Sequence, residues 1–420
     1  MERVHTFDEA VQEIRRLTPV PRSETLPTDA CLGRILLGEA VAQIDVPPFD
    51  RAMMDGYAIV AGQPAPPADA RPQGGDSRAA AFRVVGSVAA GTVHPDPLRP
   101  GEAVRIMTGA PVPPGANAVV RLEWCSNATE TSVEVVHAVA PGESIQPRGD
   151  DGRAGDVLLM PGVRISPGHL ALCRAFGIGS LTVAAAPTCS VIVTGTELVT
   201  GTDGADGAPP LPPGRIYGSN DAFLRGALTA DGLHVRQCET LSDDRRQIRQ
   251  ALAAACARSD VVITTGGVSA GDYDYLPGIL QELSGHLHVR KVLIRPGAPF
   301  VAAKVGAATV FALSGNPAAS FVQFETLVRP VLRAALGWAD EPFPASGKLL
   351  HDMELKPVQH TRILRAHASI HQGEVLVDAQ MPQSSGQVSS FSKANCLIRL
   401  DAPSVPKGTV VPLRWLDYAR

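Results

Sequence analysis

Residues 260–275 read DVVITTGGVSAGDYDY, and the change of character inside them decides the architecture. Val261 to Thr265 are all β-branched, which favours a strand. Because no polar residue alternates with apolar ones at its start, the strand belongs inside a sheet covered on both faces. It then breaks into glycines, serine and two aspartates, Asp272 and Asp274. A buried strand ending in a glycine-rich polar loop is the usual carrier of a ligand site in α/β proteins.

The same grammar extends on both sides. CSVIVTG (189–195), HVRQCETL (234–241), HVRKVLI (288–294) and ATVFALSG (308–315) read as strands. Between and after them, NDAFLRGALTADG, DDRRQIRQALAAACARS, DYLPGILQEL and PAASFVQFETLVRPVLRAAL carry helical spacing. Strands alternating with helices predict a doubly wound parallel α/β domain over 186–338. Pro330, inside the last helix, is expected to kink it or mark its weak point.

Three strand ends stop on glycine and polar residues: VTGTEL (193–198), TTGGVSAGDYD (264–274) and LSGNPAAS (313–320). Exposed backbone N–H groups there suit a phosphate-bearing ligand. That makes Gly195, Gly266, Gly267, Ser269, Ser314, Gly315, Asn316 and Pro317 candidate binding residues. Glu197, Asp272 and Asp274 would repel an anion unless they hold Mg²⁺, which commonly bridges one or two carboxylates and a phosphate. The bland alternative is helix capping, which weighs equally for Asp272 and is the expected role of Asp243 and Asp244.

The remaining chain has a different texture. A helix is expected over 6–17 behind Thr6, and a second short one after Thr28 through DACLGRIL. Short β-like pieces with Pro/Gly turns fill 46–154, an inserted β-rich domain. Residues 1–45 with 155–185 form a discontinuous small α+β domain, and 339–420 a C-terminal β domain. In FDRAMMDGYAIV (49–60), Asp55-Gly56 reads as a hairpin turn.

With 420 residues the chain is long enough for several domains, and a net charge of −4 gives no general attraction to nucleic acid. No apolar run reaches membrane-spanning length, and the charged N-terminus lacks a signal peptide's apolar core. Seven dispersed cysteines without a CxxC pair read as reduced thiols in a cytoplasmic protein.

Taken together, LGRIL, FDRAMMDGYA, RIMTGAPVP, RGDDGRAGDVL, TGTEL, TTGGVSAGDYDY, LSGNPAAS and SSFSKAN, in this order along nearly the whole chain, resemble the molybdopterin molybdenumtransferase family, the MoeA proteins and the E domain of gephyrin. The resemblance implies a four-domain plan with a MogA-like molybdopterin-binding domain. It also implies a Mg²⁺-dependent insertion of molybdate into adenylylated molybdopterin with release of AMP. It further implies a homodimer whose active cleft is shared between subunits, with other molybdopterin-pathway enzymes as possible partners.

Carried over motif by motif, the resemblance places functional roles on Asp55, Thr108, Asp151, Glu197, Asp243, Asp274, Arg365 and Ser385. Its basic set falls on Lys291 and Arg295, but the family's KPGKP reads RPGAP here, so Ala298 lacks a cation. Arg51 is a candidate to replace that charge. The family's YDSN reads YGSN and its PGNP reads SGNP, and residues 200–214 form an extra stretch read as a mobile surface loop. A non-catalytic carrier of molybdopterin, and less so a MogA-like adenylyltransferase, remain the alternatives.

Overall fold

The computed structural model describes residues 4–62, 80–199, 211–269, 275–284 and 286–416, so the 200–210 part of the extra loop lies outside it. The chain divides into two compact units. One comprises Thr25–Leu32 and Leu36–Thr182; the other comprises Met1–Glu24, Gly33–Ile35 and Val183–Arg420.

The second unit is built on the α/β pattern. Its elements are β1 (Thr188–Thr194), α1 (Asn220–Ala230), β2 (His234–Leu241), α2 (Arg245–Arg258), β3 (Val261–Thr265) and α3 (Leu276–Ser284). They continue with β4 (Leu287–Lys291), β5 (Pro299–Val305), β6 (Ala308–Leu313), α4 (Pro317–Gln323) and α5 (Arg329–Ala335). The sheet order is β2-β1-β3-β6-β5-β4. Alternate residues of each strand feed opposite faces. Val191, Ile263 and Phe311 pack with Leu224, Leu228, Phe7 and Ile14 on one side. Ile192, Val262 and Val310 pack with Ile248, Leu252 and Ile279 on the other. All five residues of β3 are buried, as expected for a strand covered on both faces.

The expectation of a wholly parallel sheet needs one correction. β1, β2, β3 and β6 are parallel, but β5 runs antiparallel to β6 and to β4. β5 has no signal of its own in the α/β alternation, because Val305 and Ala308 pair directly across Gly306 and Ala307, a hairpin with no helix to announce a new strand. Pro330 does not break its helix. The chain passes from α4 through a π-helical turn at Phe324–Val328 into α5, and this wider turn stands one step before the proline.

Thr6 caps the N-terminal helix Phe7–Arg15 as expected, and Glu9 completes a capping box with it. No helix follows Thr28; a single 3₁₀ turn, Thr28–Ala30, is all that forms.

At the C-terminal end of this unit, strands Thr361–His371, Glu374–Asp378, Ala345–Leu349, Val410–Trp415 and Cys396–Leu400 pair in sequence, and the last pairs back onto the first. That closes a five-stranded barrel and removes its edges. A short strand, Ile294–Arg295, leaves the α/β domain and adds to the barrel beside Thr361 and Arg362. A buried ionic network also joins the two parts. Arg329 grips Asp231 through two bonds of 2.7 and 2.8 Å and holds Glu325, while Arg414 bonds Glu325 and Asp340.

The other unit is centred on a six-stranded sheet ordered Ala118–Arg121, Gly56–Ile59, Glu102–Ile106, Ala80–Val88, Ser132–Val135, Cys125–Ser126. Asp55-Gly56 is not a hairpin turn. Arg51–Ala52 pairs with Ile145–Gln146, whereas Gly56–Ile59 lies in the large sheet, so the arms of the stretch diverge. Gly56 is there for close approach: a Cβ would sit 1.8 Å from the Val120 carbonyl oxygen.

Candidate functional site

The carboxyl ends of β1, β3 and β6, which are adjacent in the sheet, open into one cavity of about 1170 Å³. Its floor is made by the three loops singled out above: Gly195 and Glu197 from the first, Gly266, Gly267 and Ser269 from the second, Ser314, Gly315, Asn316 and Pro317 from the third. Further wall comes from Tyr217, Asn220 and Asp243, from the RPG turn, and from the barrel through Arg362, Gln383 and Ser385.

The loops are held in register by specific contacts. Gly266 has φ +92° and lies so close to β1 that a Cβ would meet the Thr194 carbonyl oxygen at 2.4 Å. Asn220, at the start of α1, donates from Nδ2 to the Gly315 carbonyl at 2.9 Å and to the Thr265 hydroxyl at 3.3 Å. Gln323, fully buried in α4, donates to the carbonyls of Gly297 and Pro299, both at 2.6 Å, and accepts from the Ser314 amide at 2.8 Å. The RPG turn and the β6 loop are thereby locked together.

Charge is divided across the cleft. Among the described residues, Glu197 and Asp243 are the acids of its lining, and Arg295 and Arg362 the cations. Asp243 is not a cap: its Oδ2 accepts from the Thr196 amide and hydroxyl at 2.9 and 3.1 Å. The cap of α2 is Asp244, which accepts from the Gln247 amide at 2.8 Å. Glu197 forms no side-chain hydrogen bond among the described residues and is exposed to the cavity. Asp272 and Asp274 lie outside the described residues.

Two residues of the expected set that belong to this unit, Lys291 and Arg365, stand apart from the cavity lining. Lys291 ends β4, exposed. Arg365 is 1% exposed, and its Nη2 donates to the carbonyls of Pro382 and Ser384 at 3.1 Å each. Gln383 accepts from the Arg365 amide and donates back to its carbonyl, so Arg365 shapes the loop that presents Ser385.

Asp55, Thr108 and Asp151 belong to the other unit. Asp55 accepts from both the amide and the hydroxyl of Thr108 at 2.7 Å, and these bonds hold its carboxyl below the usual carboxylate range. Arg51, the expected replacement for the cation missing at Ala298, donates to Gln146 at 2.8 Å. Asp151 is exposed. Asn220, Gln323 and Arg362 were not among the expected residues. The SN of YGSN pointed near Asn220, but nothing local marks the other two.

The family model described as MoeA N-terminal region (domain I and II) matches residues 5–177. That of the probable molybdopterin binding domain matches 190–334, and that of the MoeA C-terminal region (domain IV) matches 348–414. A curated Bacillus subtilis protein, molybdopterin molybdenumtransferase, is 34% identical over 94% of this chain and 89% of its own length. The chain belongs to the MoeA family.

A Staphylococcus aureus protein of the same name is also 34% identical, over 94% of this chain and 91% of its own. Among solved structures, a molybdopterin biosynthesis MoeA protein from Pyrococcus horikoshii superposes with a TM-score of 0.79 and 27% identity, covering 98% of this chain and 99% of that one. The multidomain α/β and β architecture expected from sequence is thus that of MoeA structures. No helix among the described residues is long and apolar enough to cross a membrane.

Proposed function

We propose that this chain is a molybdopterin molybdenumtransferase that takes adenylylated molybdopterin, releases AMP and inserts molybdate to give molybdenum cofactor. The observation that carries the reading is the cleft itself: glycine-rich loops from three adjacent strands, acids on one rim, guanidinium groups on the other. Such a cleft suits a ligand with a diphosphate linkage and a second, tetrahedral anion. Its volume, about 1170 Å³, admits a nucleotide-sized substrate.

The donor set suits a Mg²⁺ ion held largely by water and phosphate. Among the described residues no group of three His, Cys, Asp or Glu side chains could hold a metal. Two carboxylates, Glu197 and Asp243, do line the cavity, and Mg²⁺ is normally held by one or two carboxylates with the remaining positions taken by water and phosphate. Glu197 and Asp243, together with Asp274, would hold the ion, which would neutralise charge developing on the phosphoryl oxygens. The chain's own contribution is positional. The backbone N–H groups of Gly267, Gly315 and Asn316 donate to phosphate oxygens, while Ser385 and Arg295 meet the opposite end of the ligand.

The active form is a homodimer in the cytoplasm, with Asp55, Thr108 and Asp151 of one subunit completing the cleft of its partner. Support comes from the apolar surface beside Asp55, where Met53 is 56% exposed, Phe49 40% and Met54 38%.

The test is incubation of purified protein with adenylylated molybdopterin, Mg²⁺ and molybdate, following AMP and cofactor. Release of AMP coupled to cofactor formation is expected. Tight binding of the adenylylated pterin with no AMP would overturn the reading in favour of a carrier.

A further inference from the structure

Arg295 and Arg362 are directly opposite each other where Ile294–Arg295 joins Thr361–His371 in parallel register. Residues paired in this way project from the same face of a sheet, and like charges so placed repel. Both line the ligand cavity, and neither forms an ion pair with an acid among the described residues. Arg362 is fixed by donating from Nη2 to the Lys356 carbonyl, which leaves the rest of its fork for another acceptor.

The neighbourhood is cationic beyond this pair. His360 is held below the usual imidazole range, first by burial and then by the charges of Lys291, Arg295 and Arg362. Burial and the charge of Arg295 likewise lower Arg362. A cluster of three permanent cations without an acid is an unfavourable arrangement for an empty protein and a favourable one for a protein holding a dianion.

We propose that Arg362 is an anion-binding residue of the cleft, closing with Arg295 on a tetrahedral oxoanion and supplying the cation that Ala298 does not. The inference deepens the molybdenumtransferase reading and rests on it for the identity of the anion. It also replaces Arg51 as the source of the missing charge, since Arg362 already stands in the same cavity wall as Arg295. A guanidinium suits this role because two parallel N–H groups meet two oxygens of the anion, which an ammonium cannot do.

The test uses the full chain and inorganic molybdate, titrated calorimetrically, with sulfate as competitor. Arg362→Met is expected to weaken molybdate binding by about tenfold or more, the loss of one charge-assisted interaction. It should also flatten the salt dependence, with Arg362→Lys recovering only part of the affinity. Without ligand, Arg362→Met should melt no lower than the wild type, because a repulsion is relieved; a purely structural residue would lower it. Wild-type affinity and salt dependence in Arg362→Met overturn the inference, as does a wild-type protein that binds neither molybdate nor sulfate. Arg362-dependent molybdate binding without AMP release from adenylylated molybdopterin would sustain the inference and refute the transferase reading. AMP release whose molybdate dependence is unchanged in Arg362→Met would do the reverse.

Discussion

Replacing Gln323 by Met tests whether one buried amide positions the anion side of the cleft. Methionine keeps nearly the same length and volume, so packing in α4 is largely preserved. What is lost is three hydrogen bonds: the two donated to Gly297 and Pro299, and the one accepted from the Ser314 amide. A buried polar group left without a partner costs about 1–3 kcal/mol. The two carbonyls belong to cavity-lining residues that water can reach, so their share is the smaller. The expected total is about 3 kcal/mol, which corresponds to roughly a hundredfold.

Because a chain of two units need not unfold in one step, a local assay is the right one. Hydrogen exchange followed by mass spectrometry should show peptides spanning 294–303 and 311–320 exchanging about a hundredfold faster. Peptides spanning 52–59, in the other unit, should not change. Molybdate should be required at higher concentration for AMP release. Exchange altered by less than about threefold in both cleft peptides would refute the reasoning, since it would mean that the turn and the β6 loop hold their places unaided.

Asp231→Asn should destabilise the α/β unit by about 3 kcal/mol, because it removes the buried carboxylate that Arg329 and Arg333 share and leaves Glu325 and Asp340 to balance them; a urea midpoint within error of wild type would contradict this. Burial raises the Asp231 pKa, but hydrogen bonds from Arg329 and Arg333 outweigh it and the net shift is downward. A carboxyl lowered in the folded state stabilises above its unfolded pKa, so this contribution is intact above about pH 4 and is lost as pH falls through the lowered value. Urea midpoints measured from pH 6 down to pH 3 should show that loss in wild type and a shallower one in Asp231→Asn. Glu197→Gln should leave melting unchanged and slow AMP release by about a hundredfold or more, with a raised Mg²⁺ requirement. Asp274→Ala should abolish AMP release with melting intact, and full activity would reduce Asp274 to a cap. Thr108→Val removes one of the two Asp55 hydrogen bonds, so the Asp55 carboxyl should titrate nearer its ordinary value by NMR.

Legibility in the sequence followed the range of the interactions. The ends of β1, β3 and β6 could be read because each is a local event, a β-branched run broken by glycine. Their adjacency in the sheet then follows from the winding of the fold. Neighbouring acids show where local reading fails. Asp243 and Asp244 are equivalent as candidate caps, and only the approach of Thr196 from another loop separates them. In the same way, Asp55-Gly56 carries a hairpin signal, but the backbone of Val120, contributed by a distant strand, is what requires the glycine.

Arg362 lies at the far end of this scale. In sequence it is one cation in a barrel strand, and the local pattern gives it no more weight than Arg365, three residues on. Its partner, Arg295, reaches it only because a two-residue strand crosses from one domain to the next. Two positive charges set side by side in a cavity wall violate the pairing rule that the rest of the sheet obeys, and such violations are retained where a ligand compensates them. The missing lysine at position 298 and the unpaired Arg362 are therefore one observation made twice, first as a loss in a motif and then as an excess in the fold.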